Sequence, residues 1–324
     1  MFERMGITSR NVLDVSIEWT CLLFFTHCAA GIAACWYLRR SKDLKFVNDL
    51  TSSYISILQP LVYSQSEAYR KASAQLLSQS FRLKGSITEH LKKRDPATIS
   101  YHNEAIKYAQ MAENTTEQAI ANRMAGYSYW HQEEYEQALL YAETAYGVAR
   151  SEKRIPRNIQ SFIASGLSLC QVINGKPDDA MISLAEARNL FDSTMSIPSV
   201  HYTESNLLAI SADVFQHRGM WQESVSLWIE SLATPDISTL GSIQARINYA
   251  KTEVSRDDQP RNMDLCITLL TEGVTGAKEL DSKHYQHEAR EVYDLLHAAW
   301  PREDAIKQLG KKHFGQNEQQ EGHQ

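Results

Sequence analysis

Glycine and proline are scarce, at 14 and 8 residues in a chain of 324, little more than half the share usual in globular proteins. Turns, hairpins and strand ends draw on these two residues, so the shortage argues against an all-β sandwich or barrel and excludes a collagen-like chain. Cysteine is sparse and odd in number, at five, which fits a reducing compartment, hence a cytoplasmic chain, better than a disulfide framework. Basic charge is also short: 33 Lys and Arg stand against 39 Asp and Glu, for a net charge of −6. A nucleic-acid surface would need a local basic patch working against that balance. Phosphate-binding loops, dinucleotide fingerprints, nucleophile elbows and HExxH motifs do not occur in the sequence, so neither an enzyme nor a bound cofactor is expected. What is present is 43% hydrophobic residues, enough to bury a sizeable core and too many for a disordered chain.

The remaining information lies in internal repetition. Residues 119–152 read AIANRMAGYSYWHQEEYEQALLYAETAYGVARSE. Gly126 takes the eighth place, Tyr129 the eleventh, and Ala138 and Ala145 the twentieth and twenty-seventh, which is the tetratricopeptide pattern. Two antiparallel helices approach closely only where the crossing residues are small, and aromatic side chains fill the wedge between successive pairs. Residues 161–194 fit the frame with Gly175 in the turn and Ala180, Leu184 and Ala187 on the second helix. Residues 205–238 fit it with Gly219 in the turn, Ser224 and Ser231 at the small places and Trp228 between them. Other helical runs are expected at 43–59, 66–91, 96–113, 241–254, 262–280, 283–299 and 302–313. The expected fold is therefore all-α, a TPR-like α-solenoid of about six antiparallel helix pairs over 19–314. It leaves an N-terminal segment 1–18 and a polar, disordered tail 315–324. In a stacked array length measures the extent of the superhelix and not the number of compact domains.

Residues 19–38, WTCLLFFTHCAAGIAACWYL, carry no Asp, Glu, Lys or Arg. Twenty helical residues span about 30 Å, the thickness of a hydrocarbon core, and basic residues follow at Arg39, Arg40 and Lys42. A membrane span, or a lipoprotein signal ending at Cys35, is thus an alternative that would make the chain a membrane-anchored scaffold. Asp14 and Glu18 ahead of the run disfavour a signal peptide, and Gly31, Thr20, Thr26 and three cysteines moderate its hydrophobicity. The simpler expectation is a first solenoid helix. Cys21, Cys28 and Cys35 recur every seven residues, about 10 Å apart along a helix. Two thiolates on one zinc ion are at most about 4.6 Å apart, so this stripe predicts a packing face. The basic runs 39–42 and 91–96 lie at helix ends, where cations complement the helix dipole.

Solenoids bind through the concave surface lined by the first helix of each pair. In the repeat frame the inner places hold Arg123, Tyr127, Trp130 and His131, then Ser165, Leu169 and Val172, then Ala209, Asp213, Gln216 and His217. This mixture of one cation, aromatic surface and hydrogen-bonding groups suits an extended peptide or protein segment. The competing reading packs Tyr127 and Trp130 between repeats. His284 and His287, with Glu288 beside them, could contribute to a metal site if a third ligand came from elsewhere. A solvated helix face is the simpler expectation, and no metal is expected.

Several segments occur together in a family-like order: AACWYL (33–38), Tyr54 to Leu58, SEAYRKASAQLLSQSFRLKG (66–85) and WPREDAIKQL (300–309). The arrangement resembles the C-terminal tetratricopeptide region of bacterial regulators that carry a helix-turn-helix of the Cro/C1 repressor type. The resemblance covers about 20–314 and implies a sensor or adaptor related to transcriptional regulation. In such regions asparagines on first helices grip peptide backbone, and Asn248 in RINYAKTEV (246–254) is the corresponding candidate here. Residues 1–18 are too short for a three-helix DNA reader, so direct nucleic-acid binding is not expected of this chain.

Overall fold

The computed structural model describes residues 9–39, 43–194, 200, 202–235 and 237–315, with side chains from residue 23 onward. These form fourteen α-helices and no strand: α1 (Ser9–Leu38), α2 (Leu44–Leu58), α3 (Glu67–Leu91), α4 (Ala97–Met111), α5 (Thr115–His131), α6 (Tyr135–Ser151), α7 (Arg157–Ile173), α8 (Pro177–Leu190), α9 (Glu204–His217), α10 (Trp221–Ala233), α11 (Thr239–Ser255), α12 (Met263–Glu279), α13 (Lys283–Ala299) and α14 (Asp304–His313). The helices fall within a few residues of the runs expected from the sequence. Residues 1–8 and the segment 316–324 expected to form a polar tail lie outside the described residues. Helix α1 runs without a break from Ser9 to Leu38, across the expected boundary at 18/19.

Adjacent helices pack as antiparallel pairs, α3 with α4, α5 with α6, α7 with α8, α9 with α10 and α11 with α12. The small-residue places explain why. A side chain at Gly126 would come within 3.0 Å of the Ala138 carbonyl oxygen and 3.3 Å of the Ala142 nitrogen, so glycine lets α5 and α6 cross this closely without displacing the α6 backbone. Ala138, Ala145, Ala180, Ala187, Ser224 and Ser231 are all fully buried. The two serines stay satisfied there: Ser224 Oγ donates to the Ala212 carbonyl at 2.9 Å and Ser231 Oγ to the Ser205 carbonyl at 3.1 Å. Gly175 and Gly219 close the α7–α8 and α9–α10 turns at φ 72°, where L side chains are strained. In the α5–α6 turn the same left-handed place is held by Glu133, at φ 64°.

Helix α1 packs on α2 and α3 through Cys28, Ile32, Cys35 and Trp36, which are all buried. This is the packing face expected of the cysteine stripe; the side chain of Cys21 lies outside the described residues. A Cβ at Gly31 would overlap the Tyr54 hydroxyl, so α1 and α2 approach through glycine. Burial raises the Cys35 thiol by desolvation, beside Thr51. Among the described residues no helix is long and apolar enough to cross a membrane.

The odd-numbered helices form the inner layer. α3, α5, α7, α9, α11 and α13 each touch the next, and α13 returns to pack against α3. The curl therefore closes on itself. His90 of α3 hydrogen-bonds Ser282, the N-cap of α13, at 3.3 Å, and its ring lies 5.2 Å from that of Tyr285.

Candidate functional site

Ring closure narrows the expected open groove to a central chamber of about 150 Å³ that stays partly open to solvent. A second cavity, also about 150 Å³, adjoins it toward the C-terminal ends of α5 and α9. Arg123, Tyr127, Trp130, His131 and Asp213 line the chamber, and Trp130, His131, Asp213, Gln216 and Asn248 line the second cavity. All seven candidate residues thus face one or the other. Trp130, His131, Asp213 and His284 border both and form the wall between them.

The repeat register explains the α5 contribution. Residues 123, 127, 130 and 131 share one helical face, and the opposite face carries Gly126 against α6. Tyr127 and Trp130 turn inward, with ring centroids 5.4 Å apart. The Arg123 guanidinium lies 4.4 Å from the ring centroid of Phe162 and 5.0 Å from that of Tyr127, a stacked, desolvated cation. Gly166 makes room for it, since a Cβ there would come within 2.6 Å of Arg123 Nε. That Nε is buried and has no hydrogen-bond partner among the described residues. Of the other inner places, Leu169 and Ala209 line the chamber and His217 the second cavity. Ser165 and Val172 are buried, and Ser165 Oγ donates to the Phe162 carbonyl at 2.9 Å.

The chamber is rich in carboxylates shielded from water. Burial pushes Asp213 up to about 7, with Lys251 acting in the opposite direction. Burial likewise pushes Glu89 on α3 up to about 7, although His284, Arg39 and Arg123 draw it down. Burial holds His131 and His90 well below the ordinary imidazole range, so both rings are neutral near pH 7.

The largest departure from expectation concerns α13. His284 is not on a solvated face: its side chain is 12% exposed and its ring meets that of His131 edge to face at 4.4 Å. The solvated reading holds for His287, which pairs with Glu291 at 2.9 Å, with side chains 32% and 52% exposed. Glu288 turns inward to His284, Oε1 to Nε2 at 3.3 Å. Burial alone would lower His284, but the Glu288 charge and hydrogen bond outweigh it and leave the imidazole raised. Burial alone would raise Glu288, and His284 reverses that and leaves it lowered. Glu89, His284, Tyr285 and Glu288 were beyond the repeat frame. Only the His-x-x-His-Glu spacing in 284–288 marked one of their segments.

No protein-family model matches the chain, and no curated protein matches it by sequence. Thirty-one solved chains are similar in fold. One is BtubC (BKLC) from P. vanneervenii, at a TM-score of 0.45 and 12% identity, with 83% of this chain and 92% of that chain covered. Likeness at that level bears on neither ligand nor role.

Proposed function

We propose that this chain is a non-enzymatic binding solenoid of the tetratricopeptide type. It takes an anchor side chain or chain end of a peptide or protein segment in the central chamber. The observation that carries the reading is convergence: six inner helices direct aromatic rings, a buried cation lacking a partner at Nε and shielded carboxylates onto one central space. A cavity of about 150 Å³ holds roughly one ring-sized group, so an anchor suits it better than an extended segment threaded along an open groove. An apolar body would rest on Trp130, Leu169, Ile210 and Leu240, and a polar tip would reach Arg123 or Asp213. The family-like segments AACWYL and WPREDAIKQL support placing such binding in a sensor or adaptor linked to transcriptional regulation.

The test is a library of short synthetic peptides titrated into the full chain, read by fluorescence of Trp36 and Trp130, both at the chamber wall. At least one sequence class should bind, and Asp213→Asn or Trp130→Phe should weaken that binding about tenfold or more while leaving the circular dichroism spectrum intact. Binding that both substitutions leave unchanged, or a library without a binder, would overturn the assignment.

A further inference from the structure

The wall between the two cavities holds a set of groups that peptide binding does not require. His131 comes from α5, and His284 and Glu288 come from consecutive turns of α13. One nitrogen from each imidazole and one oxygen from the carboxylate lie within 4.8 Å of one another. We infer that His131, His284 and Glu288 form a binding site for a single divalent transition-metal ion of the zinc class, held across the closure of the ring.

Four arguments support the assignment. The donor set is two imidazoles and one carboxylate, the borderline nitrogen and oxygen donors that zinc accepts. Donors sharing a tetrahedral zinc ion stand roughly 3.3–3.5 Å apart, so the present spacing needs only rotamer adjustments on two rigid helices. The side chains are shielded, with His131 8% exposed, His284 12% and Glu288 21%. Finally, Glu288 Oε2 is buried and has no hydrogen-bond partner among the described residues, although His284 occupies the other oxygen. A buried carboxylate oxygen left unpaired is costly, and a cation on that side would satisfy it.

The surroundings are compatible with a dication. Glu89 Oε1 of α3 lies 3.8 Å from His131 Nε2, close enough to orient that ring or to complete the coordination. Asp213 of α9 borders the same wall, and Arg123 of α5 and Lys251 of α11 oppose these carboxylates. Burial already keeps His131 neutral, so it offers a lone pair without losing a proton. His284 coordinates as the neutral imidazole once the ion displaces its contact with Glu288. Because α5 and α13 are distant in sequence, the ion acts as a cross-link that holds α13 in place.

Zinc alone is the probe. The full chain, stripped with chelator and dialysed against zinc, should retain one equivalent by elemental analysis, and its thermal midpoint should rise with zinc concentration. Glu288→Gln and His131→Asn should each weaken binding at least about tenfold, the least expected for losing a ligand. His287→Ala, which alters an exposed neighbour, should leave it unchanged. Retention below one equivalent, or equal affinity in folded Glu288→Gln and His131→Asn chains, overturns the site. Cobalt in the unaltered chain decides without any variant. The visible bands of a four-coordinate nitrogen and oxygen site support it, and the spectrum of hydrated cobalt rejects it. No peptide enters these measurements, so their failure leaves the chamber assignment standing.

Discussion

The middle of the molecule and its closing edge obey different rules. Between α5 and α10 the contacts that set the helix pairs are local: small residues meet across a pair, and aromatics fill the wedge to the next pair. At the closing edge α13 meets α3, and the contact joins residues almost two hundred positions apart, such as His90 and Ser282. The middle crosses through small, uncharged residues, with Ala138, Ala180, Ser224 and Ser231 fully buried. The edge is built from His90, His131, His284, Glu89 and Glu288. A stack can be assembled from generic packing, whereas the closure is assembled largely from titratable groups.

Breaking the middle should produce the largest effect. Trp228 is fully buried and donates from Nε1 to Thr252 Oγ1 at 3.0 Å. Trp228→Ala should cost about 3–5 kcal/mol, read as a lowered midpoint in urea unfolding; a loss under about 1 kcal/mol would mean the wedge is not filled as described.

The next effect is a pH dependence that belongs to the middle, at its inward-facing carboxylate. Asp213 sits at an ordinary carboxylate value of 3.8 when unfolded and about 7 when folded. From about pH 4 to 7 the unfolded chain releases this proton while the folded chain retains it, so the contribution to stability present at low pH is lost as pH rises. Asp213→Asn escapes that loss. It should be more stable than the natural chain at pH 8 by an amount on the order of 3 kcal/mol and no different below pH 4. Chelated samples unfolded in urea at both pH values check this, and an equal difference at both would contradict it.

At the edge, Tyr285 packs 5.2 Å from His90 and 5.1 Å from His284, ring to ring. Tyr285→Ala should cost about 2 kcal/mol, less than the tryptophan because the adjoining chamber admits water. Hydrogen exchange should quicken in α13 while α5 to α10 keep their protection. Uniform loss would show that the closure and the stack unfold as one unit. The smallest effect is in the turns. Gly175→Ala should cost about 1 kcal/mol, and Glu133→Gly at the matching left-handed place should gain up to about that amount, as measured by thermal unfolding.

How much of this was legible follows from the range of each contact. Gly126, Ala138 and Ala145 announced the α5–α6 pair because their partners lie within one repeat. Arg123, Tyr127, Trp130 and His131 could be placed on the inner face because the register of α5 follows from the same small residues. Asn248, drawn from the family resemblance, also faces a cavity, yet nothing in its own segment required that. The buried stripe of α13 is Tyr285, Ala289, Val292 and Leu296, and its apolar spacing is legible in the sequence. His284 and Glu288 lie at the border of that stripe, beside the more exposed His287 and Glu291, and periodicity does not say to which side a polar border residue turns.

The sequence by itself determined the helical class, the paired stacking and the inward face of each clear repeat. Those depend on residue size and spacing over some forty positions, and neighbouring repeats carry the same information. Only the tertiary structure decided that the groove narrows to a central chamber and that His131 meets His284 and Glu288. The path of a solenoid is the sum of small rotations between successive pairs. A few degrees at each interface, invisible in any one repeat, settle whether the last inner helix passes the first or packs against it.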